Sequence, residues 1–358
     1  MFLYMKKNLL IIDKHRFGTL TDSYKWCEYL RFSYNITIVT PGGEDNMLRM
    51  DGVNLICVPR STRIVFGIRY MLRCLKEALL ARGPVLVVYF KGCDWIKRLV
   101  PWKKMILDIR TLSVDANERI RKNDNASIIN ACRRYDYVTY ISKGVFHQLG
   151  IEDKKSSILP LGADVICSEE KDYSELRILY VGTLTGRHID QTIEGIDLFI
   201  RQHQDIPIRY DIVGDGWNDE VAELHSLVVR KGLEHIITLY GRVPYDQLSD
   251  FFSRCNVGLS YIPQTPYFEH QPPTKTFEYV LSGLVCIATS TFANKEIVNI
   301  NNGVLIDDNP KSFAQGLEYI WDNRTRYQTS KIAITVTDYS WESIVKRYLC
   351  PVLLKFES

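Results

Sequence analysis

The sequence predicts the α/β class, organised as two Rossmann-like domains, and three observations predict it. Apolar runs of strand length alternate with stretches of helical period along all 358 residues. Two of those runs, 9–12 and 176–181, open into glycine-bearing loops that lead into helices. A polar, charged stretch at 165–175, including Ser168 to Ser174, separates the two series and reads as a linker.

In the first half, Leu9 to Ile12 ends in Asp13, and Lys14 to Thr21 holds Gly18 ahead of a helix over Tyr24 to Leu30. Ile36 to Val39 is the next strand, stopped by Pro41-Gly42-Gly43. No G-x-G-x-x-G is present, so a dinucleotide fingerprint is not supported. Gly18 either brings backbone close to a ligand or serves a plain turn. Val53 to Val58 and Val85 to Phe90 read as strands around a helix over Arg63 to Arg82, where Arg69, Arg73 and Lys76 share one face. Between Lys91 and Lys104, basic residues interleave with Trp95 and Trp102, a pattern that fits docking on an anionic leaflet or a solvated basic face. The strand Lys104 to Ile109 delivers Asp108 and Arg110 to a carboxyl edge, where open α/β sheets bind ligands. They are candidates to face a ligand there, beside the plainer reading of a helix cap by Thr111 and an Asp108–Arg110 structural pair. Ser127 to Tyr135 reads as a helix, Tyr137 to Ile141 as a strand, Ser142-Lys143 as the next helix start and Ser157 to Leu161 as the last strand.

The second half opens with the strand Leu176 to Val181, then Gly182-Thr183-Leu184-Thr185-Gly186-Arg187 and a helix from Asp190. Two glycines and an arginine between strand and helix describe a phosphate cradle, and Arg forks onto two phosphate oxygens. Strands follow at Ile208 to Val213, ending Gly214-Asp215-Gly216, at Ile236 to Tyr240, ending Gly241-Arg242-Val243, and at Val257 to Tyr261. A proline-rich loop then ends at Pro272-Pro273, and Thr274 to Ser282 reads as a helix stopped by Gly283, ahead of a buried strand, Leu284 to Ala288. Lys275 and Glu278 share a face of its first turn, beside unpaired N–H groups and the positive dipole end. Lysine adds a point charge for a diphosphate, and a carboxylate one turn later can accept two hydrogen bonds from a ribose diol; a solvated ion pair is the plain alternative. A turn and strand at Asn302 to Ile306, a helix over Lys311 to Asp322 and a final helix from Tyr339 complete the chain.

Composition narrows the class. The chain is 46% hydrophobic and 24% charged, ordinary for a globular protein. No apolar run reaches the ~18 residues of a membrane span, and Met1 to Asp13 reads as a first core strand, not a signal peptide. Nine cysteines at irregular spacing, without C-x-x-C, read as reduced core residues of a cytoplasmic protein. Residues 1–168 hold 27 Lys+Arg against 16 Asp+Glu, a net +11 within an overall +3. Such asymmetry points to an anionic partner, an anionic membrane surface at the inner face before nucleic acid, for which no reading module is recognisable. No Asp-x-Asp or zinc spacing occurs, so no metal is expected.

Pro273-x-Lys275-x-x-Glu278-Tyr279-x-x-x-Gly283 before a buried strand resembles the nucleotide-sugar signature of the retaining family 4 glycosyltransferases. The likeness is strongest over 176–345. It implies the GT-B fold, two Rossmann-like domains facing across a cleft, with domains at 1–168 and 169–340 and a helix, 341–358, returning toward the first, Trp341 packing at the hinge. It also implies sugar transfer with retention from a nucleoside-diphosphate sugar to an acceptor hydroxyl, without a separate cofactor; the basic, tryptophan-bearing first half points to a saccharide or lipid-linked saccharide as that acceptor, as in surface polysaccharide assembly. Lys275 and Arg187 would hold phosphate, Glu278 the ribose, and Gly182, Thr183, Gly214, Thr276 and the backbone of Gly241, Arg242 and Val243 the rest of the nucleotide, with Gly18 across the cleft. Arg110 and Asp108 would face the acceptor. Where the family has a further glutamate, this sequence has His270, with Glu269 one residue off; His270 is taken as a working substitute. A non-catalytic nucleotide-binding or partner subunit of the same fold is the alternative.

Overall fold

In a computed structural model, the described residues are 6–43, 48–151, 155–217 and 219–357. The leading Met1 to Met5 of the expected first strand lie outside them. The chain divides into two compact units, 1–162 together with 341–358, and 163–340.

The first unit is built on β1 (Lys7–Ile12), β2 (Tyr34–Pro41), β3 (Val53–Val58), β4 (Val85–Val88), β5 (Ile106–Ile109), β6 (Tyr137–Tyr140) and β7 (Ser156–Ile158). They form one parallel sheet in the order β3-β2-β1-β4-β5-β6-β7. Every residue of β4, β5 and β6 is buried, which is why β4 is a continuous apolar run and why the other two, Asp108 and Thr139 apart, are apolar or aromatic without alternating. Helices α1 (Thr21–Leu30), α2 (Arg63–Leu80), α3 (Asp94–Leu99), α4 (Glu118–Arg134) and α5 (Lys143–Leu149) connect them. The expected helix at Ser127 begins nine residues earlier, because the Asn117 side chain caps it by accepting the N–H groups of Arg119 and Ile120. Its first turns are too polar to show an apolar period. Ser142 caps α5 as expected, its Oγ accepting the Val145 N–H at 3.1 Å. The chain's last helical stretch packs on this unit. Trp341 is buried, and a Cβ on Gly162 would lie 2.5 Å from its ring.

The second unit holds β8 (Leu176–Val181), β9 (Ile208–Val213), β10 (Ile237–Gly241), β11 (Val257–Ser260), β12 (Val285–Thr289) and β13 (Gly303–Ile306), parallel, in the order β10-β9-β8-β11-β12-β13. Its helices include α6 (Ile189–Gln202), α7 (Glu220–Lys231), α8 (Ser249–Arg254), α9 (Thr274–Leu281), α10 (Phe292–Lys295) and α11 (Pro310–Asp322). Strand order runs outward from β8 on one side and restarts at β11 on the other. The crevice at their carboxyl ends is therefore a topological switch point, the place where open α/β sheets take ligands.

α9 is anchored there by Tyr279. The Tyr279 ring lies over Gly258, where a Cβ would come 2.2 Å from its Cγ, and the Val181 N–H donates to the Tyr279 hydroxyl at 2.7 Å. Phe277, Val280 and Leu281 are buried, as their spacing predicts. Gly283 ends the helix at φ +75°, a conformation glycine adopts freely.

Candidate donor-binding site

Lys275, Glu278 and Tyr279 fall at i, i+3 and i+4 of α9. With Tyr279 tied to Val181, that face turns to the carboxyl end of β8, where Gly182 begins the loop. A Cβ on Gly182 would sit 2.8 Å from Lys275 Nζ, and its φ is +145°; absence of a side chain here is what admits the lysine. The ammonium rests over the Tyr180 ring, 3.7 Å from its centroid, a favourable cation–π position. The Tyr180 hydroxyl donates to the Thr183 carbonyl at 2.6 Å and so fixes the start of the loop.

Arg187 closes the same loop. Its guanidinium stacks on the Phe268 ring at 4.3 Å, and its Nη1 is buried without a hydrogen-bond acceptor. Burial lowers its pKa, partly offset by Tyr180 and Tyr267. Burial, and next the positive charge of Arg187, hold the Lys275 ammonium well below the usual lysine range, with Glu278 acting the other way. Two desolvated cations thus repel one another across one small region. An anion with two or more charged oxygens would relieve both.

Glu278 completes the group. Burial pushes its carboxyl up to about 7, with Asp164 adding to the rise, against the lowering effects of a Tyr245 hydrogen bond and of Lys275. The Tyr245 hydroxyl donates to Oε1 at 3.3 Å.

The floor is backbone. The Gly182 N–H donates to the Val213 carbonyl and the Gly214 N–H to the Gly241 carbonyl, at 2.9 and 2.8 Å. A Cβ on Gly214 would collide with the Gly182 carbonyl at 1.9 Å. Gly182, Gly214 and Gly241 therefore bring three strand ends together. Thr183 and Arg242 are exposed and Val243 half-buried. Thr276 behaves otherwise: its side chain is buried, and its hydroxyl bonds Ser260 Oγ at 2.7 Å and Asn294 Oδ1 at 3.0 Å. It braces α9 from behind and offers no side chain to the crevice.

Around His270 the loop is held to α10. Glu269 Oε2 accepts the Phe292 N–H at 2.7 Å, and its carbonyl accepts that of Ala293 at 2.8 Å. Glu269 is therefore engaged at the start of α10. The His270 ring packs on Phe292 at 4.7 Å between centroids.

The two candidates from the first unit have another setting. Asp108 and Arg110 are buried, and Arg110 is paired with Asp22 while its Nη1 donates to the Leu159 carbonyl at 2.7 Å. Asp108 accepts from the Thr139 hydroxyl at 2.6 Å, and burial raises its carboxyl to about 6 despite Arg110. Asp108 and Arg110 thus sit with Asp22 and Thr139 in one buried polar network. Gly18 has φ +85°, and its missing Cβ would meet Leu48 Cδ2 at 2.8 Å; the glycine is required by its own turn.

Residues that the sequence did not single out are Tyr180, Phe268 and Tyr245, each lying beneath or beside a predicted charge. A tyrosine two residues before Gly182 and an aromatic pair, Tyr267-Phe268, within a loop of prolines were the available signals.

Residues 175–323 match the family described as glycosyl transferases group 1. The crevice just described lies inside that matched span. No curated protein matches the chain. Among solved structures, a sucrose-phosphate synthase from Thermosynechococcus elongatus is similar at TM-score 0.77 and 15% identity, covering 98% of this chain and 100% of the other. Anabaena HepE, in complex with UDP, is similar at TM-score 0.77 and 12% identity, with the same coverage. The lipopolysaccharide outer core galactosyltransferase WaaB, in apo form, is similar at TM-score 0.69 and 14% identity, covering 97% and 99%. At these identities the likeness shows the fold, that of GT-B glycosyltransferase structures. Among the described residues, no helix is long and apolar enough to cross a membrane.

Proposed function

We propose that this protein transfers a sugar, with retention of anomeric configuration, from a nucleoside-diphosphate sugar to the hydroxyl of a saccharide or lipid-linked saccharide used in surface polysaccharide assembly. The observation that carries the reading is the pairing of Lys275 and Arg187 at one switch-point crevice, two desolvated cations with no carboxylate partner within salt-bridge distance among the described residues. The group 1 match over the same residues supports it, as do the similar structures of Anabaena HepE with UDP and with UDP-glucose.

In this reaction the anomeric C–O bond to the diphosphate breaks, and its electron pair stays on the phosphate oxygen. Lys275 and Arg187 stabilise that leaving charge, the main catalytic demand. Glu278 positions the donor by accepting from the ribose diol, and His270 reaches the sugar. The acceptor oxygen bonds the anomeric carbon from the diphosphate side, and its proton passes to a phosphate oxygen. No resident metal or cofactor enters the scheme.

The test is release of nucleoside diphosphate from a panel of UDP- and GDP-sugars, with and without saccharide acceptors. Acceptor-dependent release with an α-linked product from an α-linked donor supports the reading, and an inverted product removes retention. Binding without turnover for every donor favours the second reading, a non-catalytic subunit. The engagement of Glu269 Oε2 with the Phe292 N–H of α10 is what favours it.

A further inference from the structure

α2 is apolar on two faces. Tyr70, Cys74 and Ala78 pack inward, while Ile64, Ile68, Leu72 and Leu79 line the opposite side, each more than half exposed. Their spacing of four, four and seven makes one continuous stripe. The stripe does not end with the helix. Lys103 Nζ donates to the Ala81 carbonyl at the end of α2, and its neighbour Trp102 is, like Leu80, more than half exposed. Trp95 and Leu99 of α3, which packs beside α2, are exposed to the same degree. Exposed large apolar side chains gathered in this way, not scattered singly, mark an interaction surface.

Its charge says what covers it. Residues 60–104 hold 11 Lys+Arg and only two carboxylates, Glu77 and Asp94, a net +9 that makes up most of the basic excess of the first half. Arg69 and Lys76 flank the stripe on the same helix. Glu77 is occupied by Arg73 at 3.0 Å and Asp94 by Arg98 at 3.1 Å. Aliphatic side chains and tryptophans within a ring of cations match the boundary between acyl chains and anionic headgroups. A second copy of this chain would bring two such surfaces into repulsion.

We infer that the α2 stripe, with Trp95, Leu99 and Trp102, is a docking face for a bilayer of anionic lipid. The face lies in the first unit and stands on observations separate from the donor crevice. Docking there would hold the protein at a surface where lipid-linked acceptors reside.

The experiment is flotation of the full-length protein with phosphatidylcholine vesicles and with vesicles containing roughly a third phosphatidylglycerol. Three forms are compared: the natural chain, Ile68→Ser/Leu72→Ser, and Arg69→Glu/Lys76→Glu. Nucleoside-diphosphate binding and size-exclusion profile are measured on each. The natural chain should partition at least ~10-fold more strongly to the anionic vesicles, and each variant should lose most of that gain. Nucleoside-diphosphate binding should stay unchanged, so a failed docking face is distinguishable from a failed donor site. Equal partitioning to both vesicles, or variants that bind like the natural chain, would overturn the inference. So would a dimer that Ile68→Ser/Leu72→Ser dissociates without any vesicle binding, which would assign the stripe to self-association.

Discussion

Gly182 and Lys275 meet so closely that a Cβ at 182 would stand 2.8 Å from the lysine ammonium. One residue's lack of a side chain thus sets where the other's charge lies. Gly182→Ala should weaken nucleoside-diphosphate binding about tenfold or more, since the substitution both displaces the ammonium and strains a φ of +145°. Calorimetric titration checks it, with circular dichroism confirming that the variant folds.

Lys275→Ala and Arg187→Ala should each reduce kcat/KM by tens-fold or more, about 2 kcal/mol or more of transition-state stabilisation. Because both cations act on one leaving group, the double variant should lose less than the product of the two single losses. Steady-state kinetics on purified protein gives all three values.

Glu278 titrates near neutrality in the free protein, its carboxyl raised to about 7 chiefly by burial. Accepting two hydrogen bonds from a diol needs the ionised form. Donor affinity should therefore rise between about pH 6 and about pH 8, and Glu278→Gln should flatten the profile while weakening binding throughout. The sign for stability is opposite. The folded value lies above the unfolded 4.5, so this carboxyl's favourable contribution is complete below pH 4.5 and is lost as pH rises through about 7. Binding and melting curves across that range test both halves.

Arg110→Met should destabilise the first unit by about 3–5 kcal/mol, because Asp22 and Asp108 would remain buried without their cation. Nucleoside-diphosphate affinity of the folded variant should be unchanged. Denaturant unfolding and calorimetric titration separate the two effects.

His270→Ala should lower kcat/KM at least about tenfold while leaving nucleoside-diphosphate affinity intact, and Glu269→Ala should disturb the Phe292–Lys295 turn by leaving the Phe292 N–H without its carboxylate acceptor. Comparing the affinity for the diphosphate with that for the sugar nucleotide distinguishes them.

Much of the fold was legible because fully buried parallel strands have to be apolar throughout, as in Val85 to Val88 and Val285 to Ala288. Lys275, Glu278 and Arg187 were legible for a related reason: strand–loop–helix junctions leave few positions for a charge at a carboxyl edge. What escaped depended on packing at a distance in sequence. Nothing near Asp108 announces that Asp22 and Thr139 will enclose it. Thr276 adjoins Lys275 yet faces the core, because Tyr279 fixes the rotation of the helix against Gly258. The role of Glu269 needed α10, whose four residues are too short to show a period.

Titration of UDP and GDP into the natural protein and into Lys275→Ala/Arg187→Ala tests the central claim most directly. The account predicts that at least one nucleoside diphosphate binds the natural chain, and that the folded double variant loses that affinity by about a hundredfold or more. Unchanged affinity in the double variant, or no binding of either nucleotide to the natural chain, would contradict it.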